Sequence, residues 1–267
     1  MVYLNTFLNV RHSTRNLSDE KFEEIVGELA TQLESYDYRS NYSDEELKKD
    51  WEIWFDHPAA AHTNFKDFNI KVLVQKHSEE SCRLMKGKTY QEEIEYIISN
   101  KQRNKFIKNL AVSLGNNTLV LYQMVEKHGE ILYNMIKNTE NLGDRKVFFV
   151  HGGTDTSDRE EIRQIMEKEN DAIVVASYGT FSTGINIRNL HNIIFASPSK
   201  SRIKNLQSIG RGLRKSEGKD KATLYDIADD MRHKKHMNFT LKHFIERTKI
   251  YTDEKFPFKI YKIGLKK

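Results

Sequence analysis

Ala172-Ile173-Val174-Val175-Ala176-Ser177-Tyr178-Gly179-Thr180-Phe181-Ser182-Thr183-Gly184-Ile185-Asn186 is the stretch on which the fold turns. Its first five residues are a short unbroken apolar run. It lacks the alternation of a half-exposed strand and suits a strand covered on both faces in a parallel sheet. The next ten residues crowd hydroxyls, two glycines and an amide together. Small polar groups and bare backbone N–H suit phosphate and sugar contacts, although loops of this composition are also common as plain connections.

Similar apolar runs flank this one. Strands are expected at Thr118–Gln123, Lys146–Val150, Asn192–Ser197 and Ala222–Ile227, with helices at about 126–137, 157–168, 201–214 and 238–252. Strand and helix alternate, which predicts a doubly wound α/β domain with helices on both faces of a parallel sheet. In such folds ligands sit outside the carboxyl ends of the strands, so chemistry is sought in the loops there. After 146–150 comes His151-Gly152-Gly153, where bare backbone can approach a phosphate or simply turn. After 192–197 the chain runs through Pro198-Ser199-Lys200-Ser201-Arg202 into Gln207-Ser208-Ile209-Gly210-Arg211-Gly212-Leu213-Arg214. Arg211 and Arg214 are three apart and share a helix face. Gly210 and Gly212 cost helix stability, so close backbone approach to a partner or ligand is their expected reason. Two guanidinium forks beside Gln207 suit a polyphosphate, the arrangement of an arginine finger. The alternative is a solvated basic face.

Upstream, Ile70–Gln75 is a short candidate strand. Lys86-Gly87-Lys88-Thr89 has the ending of a phosphate-binding loop, but Cys82 stands where that motif needs glycine. Thr89-Tyr90-Gln91-Glu92 reads better as a capping box opening a helix with Ile94, Ile97 and Ile98 inward. A second helix turns Phe106, Ile107, Leu110, Ala111 and Leu114 inward and stops at Gly115. Residues 1–65 are expected to be helical and separate. A cap at Ser18 precedes Phe22, Ile25, Val26, Leu29 and Leu33 at helical spacing, and a capping box at Ser43 precedes Leu47, Trp51, Trp54 and Phe55. The tryptophans could stack on bases but also suit a core or docking face.

The chain has 267 residues and a formal charge of +5, unevenly spread. Residues 1–65 hold 6 Lys and Arg against 13 Asp and Glu, whereas residues 231–267 hold 11 against 3. The basic larger part predicts a polyanion partner. Lys234 and Lys235, between His233 and His236, are expected to be basic surface on the nucleic-acid path. No apolar run approaches the roughly 20 residues that span a bilayer. The absence of a leader-like start and the single cysteine, Cys82, fit a reducing, cytoplasmic setting. The strand-end Asp226 could hold Mg²⁺ but fits better, with Asp229 and Asp230, as a cap on the next element.

Three of these loops, in this order at successive strand ends, resemble the second motor domain of superfamily 2 helicases. Gln207-x-x-Gly210-Arg211-x-x-Arg214 matches the sixth motif of that family in full. Ser182-Thr183-Gly184-Ile185-Asn186 corresponds to the fifth, often ending Arg-Gly-Ile-Asp, with Thr183 in place of the arginine and Asn186 in place of the aspartate. His151-Gly152 with Arg159, and Val120-Leu121-Tyr122, resemble two further motifs. Lys86–Ile94 and Ala176–Ile185 narrow the likeness to recombination helicases of T-even phages, over about residues 66–260.

The resemblance implies a RecA-like fold for 116–267 with a basic helical tail, a helical connector over 66–115 and a small α-helical appendage over 1–65. It implies that Arg211 and Arg214 act on the γ-phosphate of ATP, with Gln207 beside them. Gly184, Asn186 and Gly210 would contact the nucleotide. Ser177, Thr180, Thr183, His151 and Gly152 would lie along DNA phosphates. No complete Gly-x-x-x-x-Gly-Lys-[Ser/Thr] occurs in the sequence. The first motor domain is therefore expected in a separate partner chain that holds ATP and Mg²⁺, within a phage-infected bacterial cell. The alternative is a non-catalytic nucleic-acid-binding or annealing module, and a phosphate-binding metabolic α/β enzyme is a third reading.

Overall fold

The computed structural model describes residues 67–140, 142–184, 187–198, 221–254 and 256–265. The helices expected within 1–65 and at 201–214 lie outside them.

Seven strands form one sheet in the order β3-β4-β2-β5-β6-β1-β7, and every pairing is parallel. In chain order these are β1 (Asp67–Lys76), β2 (Thr118–Tyr122), β3 (Lys146–Val150), β4 (Ala172–Ser177), β5 (Asn192–Phe195), β6 (Lys221–Asp230) and β7 (Phe258–Gly264). The helices are α1 (Glu79–Met85), α2 (Tyr90–Ser99), α3 (Lys101–Ser113), α4 (Glu130–Lys137), α5 (Thr156–Lys168), α6 (Tyr178–Gly184) and α7 (Phe239–Asp253). A π-helical turn, Val125–Gly129, runs straight into α4. The expected parallel sheet with helices on both faces is what forms.

Every residue of β2, β4 and β5 is buried. Successive side chains point to opposite faces, so one apolar run supplies two cores. Leu119, Leu121 and Val174 pack on one face with Phe181 of α6 and Leu241 and Phe244 of α7. Val120, Val175 and Ile194 pack on the other with Ile107 and Ala111 of α3 and Leu132 and Ile136 of α4. β3 and β7 are the edges and are less covered.

β1 lies between β6 and β7, in register Leu73↔Ile227 and Gln75↔Asp229. The segment before β2 is thus part of the same sheet. Glu93 of α2 holds it to α7, accepting from Phe239 N at 2.8 Å, Thr240 N at 2.7 Å and Asn238 Nδ2 at 3.0 Å. An anionic carboxylate on free N–H groups at a helix start is favourable in both hydrogen bonding and dipole.

The capping box at Thr89 is present, with Thr89 N donating to Glu92 Oε2 at 2.8 Å and Glu92 N to Thr89 Oγ1 at 3.3 Å. Lys86–Thr89 is the turn between α1 and α2, with Gly87 at φ 76°. Cys82 is buried beside Met85, Ile97 and Met231. At the end of α3 the left-handed residue is Asn116 (φ 66°) rather than Gly115. Asparagine tolerates that region through its short polar side chain.

Candidate functional site

Because all strands are parallel, their carboxyl ends share one edge. The loops after β3, β4, β2, β5 and β6 succeed one another along it, over about 19 Å at the usual strand spacing. The sequence-predicted residues that are described gather on this edge. The remainder, Asn186, Gln207, Gly210, Arg211 and Arg214, lie outside the described residues, as do the side chains of Ser182–Gly184.

After β3, His151 N donates to Thr154 Oγ1 at 3.0 Å and Gly153 N donates to His151 Nδ1 at 3.1 Å. Arg159 of α5 reaches back to Gly152 O at 2.8 Å. The ring of His151 is thereby engaged with its own loop, while Gly152 and Gly153 are exposed. After β4, Ser177 Oγ and Thr180 Oγ1 are 2.8 Å apart, and Thr180 N donates to Ser177 Oγ at 3.2 Å. Both are buried, at 9% and 5% exposure, so these hydroxyls shape the start of α6. Thr183 and Gly184 end that helix. After β6, His233 and His236 exchange backbone hydrogen bonds across a tight turn whose tip is Lys234 (φ 52°) and Lys235, both exposed.

The edge is organised by a buried polar network that pattern reading missed. Arg103 Nε donates to both oxygens of Asp229, and His77 Nε2 lies 3.0 Å from Asp229 Oδ1. The neighbouring Asn104 accepts from His128 Nε2 at 3.2 Å, and His128 Nδ1 is 3.0 Å from Ser197 Oγ. Burial, helped by the charge of Arg103, pushes the pKa of His128 down to about 3, so the ring is neutral at physiological pH. One signal was present in the sequence: Arg103 falls at i−4 and i−8 from Ile107 and Ala111, inside the apolar stripe of α3.

Asp226 is not a free carboxylate. Arg247 Nη2 donates to its Oδ1 at 2.8 Å and Tyr251 OH to its Oδ2 at 2.9 Å. Asp230 is taken by Arg232, Nη2 to Oδ2 at 2.8 Å. Asp226 and Asp229 thus form ion pairs with distant helices instead of capping the next element, whereas Asp230 acts locally, its Oδ1 also accepting from Arg232 N at 3.2 Å. Among the described residues no three His, Cys, Asp or Glu side chains gather as a metal cage, and no helix is long and apolar enough to cross a membrane.

Residues 101–216 match the helicase conserved C-terminal domain. With the parallel sheet, this match shows that the chain carries the C-terminal RecA-like domain of superfamily 2 helicases.

It is similar to the ATP-dependent DNA helicase UvsW of Enterobacteria phage T4, at 38% identity over 212 residues, covering 74% of this chain and 41% of the phage protein. The crystal structure of T4 UvsW superposes with a TM-score of 0.65 at 34% identity, over 74% of this chain and 42% of that one. A putative ATP-dependent RNA helicase of Acanthamoeba polyphaga mimivirus is 30% identical over 132 residues, covering 48% of this chain and 23% of that one. The restriction-modification enzyme LlaBIII, bound to DNA, shares the fold alone, with a TM-score of 0.51 at 16% identity over 75% of this chain and 16% of that one. The chain therefore spans about two fifths of the T4 protein's length.

Proposed function

We propose that this chain is the second motor half of an ATP-dependent DNA helicase or branch-migration motor. Arg211 and Arg214 stabilise charge on the γ-phosphate, with Gln207 and Gly210 shaping the approach and Gly184 and Asn186 contacting the nucleotide. A first motor domain on a partner chain supplies the P-loop and holds Mg²⁺. ATP between the halves draws them together and its hydrolysis releases them. Contacts to DNA phosphates along the carboxyl edge, from the His151-Gly152 loop past Thr183 and the turn that buried Ser177 and Thr180 shape from within to Lys234 and Lys235, make DNA binding indifferent to sequence and sensitive to salt. The observation that carries this reading is the likeness to T4 UvsW, at 38% identity over 74% of this chain.

The test is DNA-stimulated ATP hydrolysis by the chain alone and mixed with a P-loop half from a related helicase. Activity is expected only in the mixture. Arg211→Ala and Arg214→Ala should each lower it on the order of 10³-fold or more, the scale of arginine fingers, with DNA binding kept. Full activity in both variants sinks the finger assignment. Silence of the wild-type mixture with DNA binding retained favours a binding or annealing module.

A further inference from the structure

Ser197, buried just past the end of β5, has its polar groups committed to the chain around the ends of β2 and β4. Its Oγ accepts from Gln123 N at 3.2 Å, at the end of β2. The same oxygen meets His128 Nδ1 at 3.0 Å, in the π-helical turn after β2. Its carbonyl accepts from Tyr178 OH at 3.1 Å, at the start of α6 after β4. Its N–H donates to Leu121 O at 3.3 Å.

The neighbouring hydrogen bonds fix the direction of each proton. Asn104 Nδ2 donates to Ile98 O at 2.7 Å, which makes Asn104 Oδ1 an acceptor. His128 must then carry its proton on Nε2 to donate to that oxygen, leaving Nδ1 as an acceptor. Ser197 Oγ–H donates to Nδ1, and its lone pair receives Gln123 N–H. A directed chain therefore runs from the backbone of β2 through Ser197 and His128 to α3.

We infer that Ser197 is a positioning residue that holds the loops after β2, β4 and β5 in one arrangement and couples that arrangement to α3 through His128 and Asn104. Three features single it out. The loops after β2 and β4 meet the loop after β5 on its one side chain and one carbonyl. The π-helical turn that aims His128 inward is an irregularity of the kind found at functional sites. Its carbonyl partner, Tyr178, opens the helix that ends in Thr183 and Gly184. The coupling arises from hydrogen bonds alone; only its effect on ATP turnover rests on the helicase reading.

Two measurements on the full chain test this. Hydrogen exchange of Ser197→Ala should accelerate about tenfold or more at Gln123, His128 and Tyr178–Thr180, with β3 and α5 unchanged, because only the loop contacts are lost. Ser197→Thr, which keeps the hydroxyl, should restore protection. In the mixture with a P-loop half, Ser197→Ala should lower kcat about tenfold with KM for ATP and the DNA affinity of the chain within about twofold, the split expected when only the arrangement in the transition state suffers.

Uniform acceleration across the sheet would make Ser197 an ordinary stabilising residue and overturn the proposal. So would local acceleration with kcat unchanged in an active mixture. An inactive wild-type mixture would sink the helicase reading by itself and leave the exchange pattern to decide the role of Ser197.

Discussion

Arg103 of α3 grips Asp229 of β6 through Nε, at 2.8 Å and 3.1 Å to the two carboxylate oxygens, and neither side chain is exposed. Burial would raise the pKa of Asp229, but the Arg103 guanidinium and the hydrogen bond from His77 outweigh it and hold the carboxyl at about 2. Gln75, in register with Asp229 on the neighbouring strand, shares its face of the sheet. Its amide atoms, and Nη1 and Nη2 of Arg103, are buried with no hydrogen-bond partner among the described residues. The cluster joins α3 to the carboxyl ends of β1 and β6, beside the Ser197–His128 chain.

Breaking that pair from one side should be costly. Asp229→Asn or Arg103→Met is expected to lose about 3–5 kcal/mol, because the remaining partner is left buried and uncompensated, whereas replacing both by apolar residues should recover much of it. Urea denaturation of the two single variants and of Arg103→Met/Asp229→Leu measures this. The pKa is depressed in the folded state, so the carboxylate's contribution is complete above its unfolded value near 3.8 and is lost as pH falls towards 2. Asp229→Asn should flatten the acid limb in that window.

His128 sets a second pH dependence with the same sign at higher pH. Its folded pKa of about 3 lies below the ordinary value of 6.5, so the unfolded chain takes up a proton that the folded chain refuses. Its contribution is full above pH 6.5 and declines as pH falls from there towards 3. Between pH 7 and 5 the loss should be about 2 kcal/mol. Denaturation curves of His128→Gln should lack that part of the slope, and an unchanged slope would mean that the ring is not held neutral.

Gly129 ends the π-helical turn against the ring of Tyr122. A Cβ there would come within 2.4 Å of two ring atoms, and that ring is fixed by its hydroxyl donating to Val150 O at 3.1 Å. Gly129→Ala should therefore cost about 1–3 kcal/mol through overpacking. Combined with Tyr122→Leu, which vacates the space, it should cost less than the sum of the two single changes. Strict additivity in the double-mutant cycle would place the cost elsewhere.

The exposed tip Lys234-Lys235 is the basic end of the carboxyl edge. Changing both to alanine should weaken duplex binding and reduce the slope of log affinity against log salt by about 1.8, two phosphates at about 0.9 each. Melting temperature should hardly move, since both side chains are exposed. A slope equal to that of the wild type would remove this turn from the DNA path.

The sequence by itself determined the parallel sheet and which strand ends its candidate residues follow. Ala172–Ala176 and Thr118–Tyr122 are apolar throughout because both faces of each strand are covered, and that is a local property of the residues. The capping box at Thr89 was legible for the same reason: donor and acceptor are three residues apart. The tertiary structure alone decided what depends on distant partners. β1 takes its place between β6 and β7, and β7 itself, Lys-rich and half exposed at an edge, lies in a tail that reads as helical. Arg103 looks like an error in an apolar stripe until Asp229, 126 residues away, is brought against it. The Ser197–His128–Asn104 chain has no pattern at all in one dimension, since hydrogen-bond directionality acts between side chains only after packing has set them about 3 Å apart.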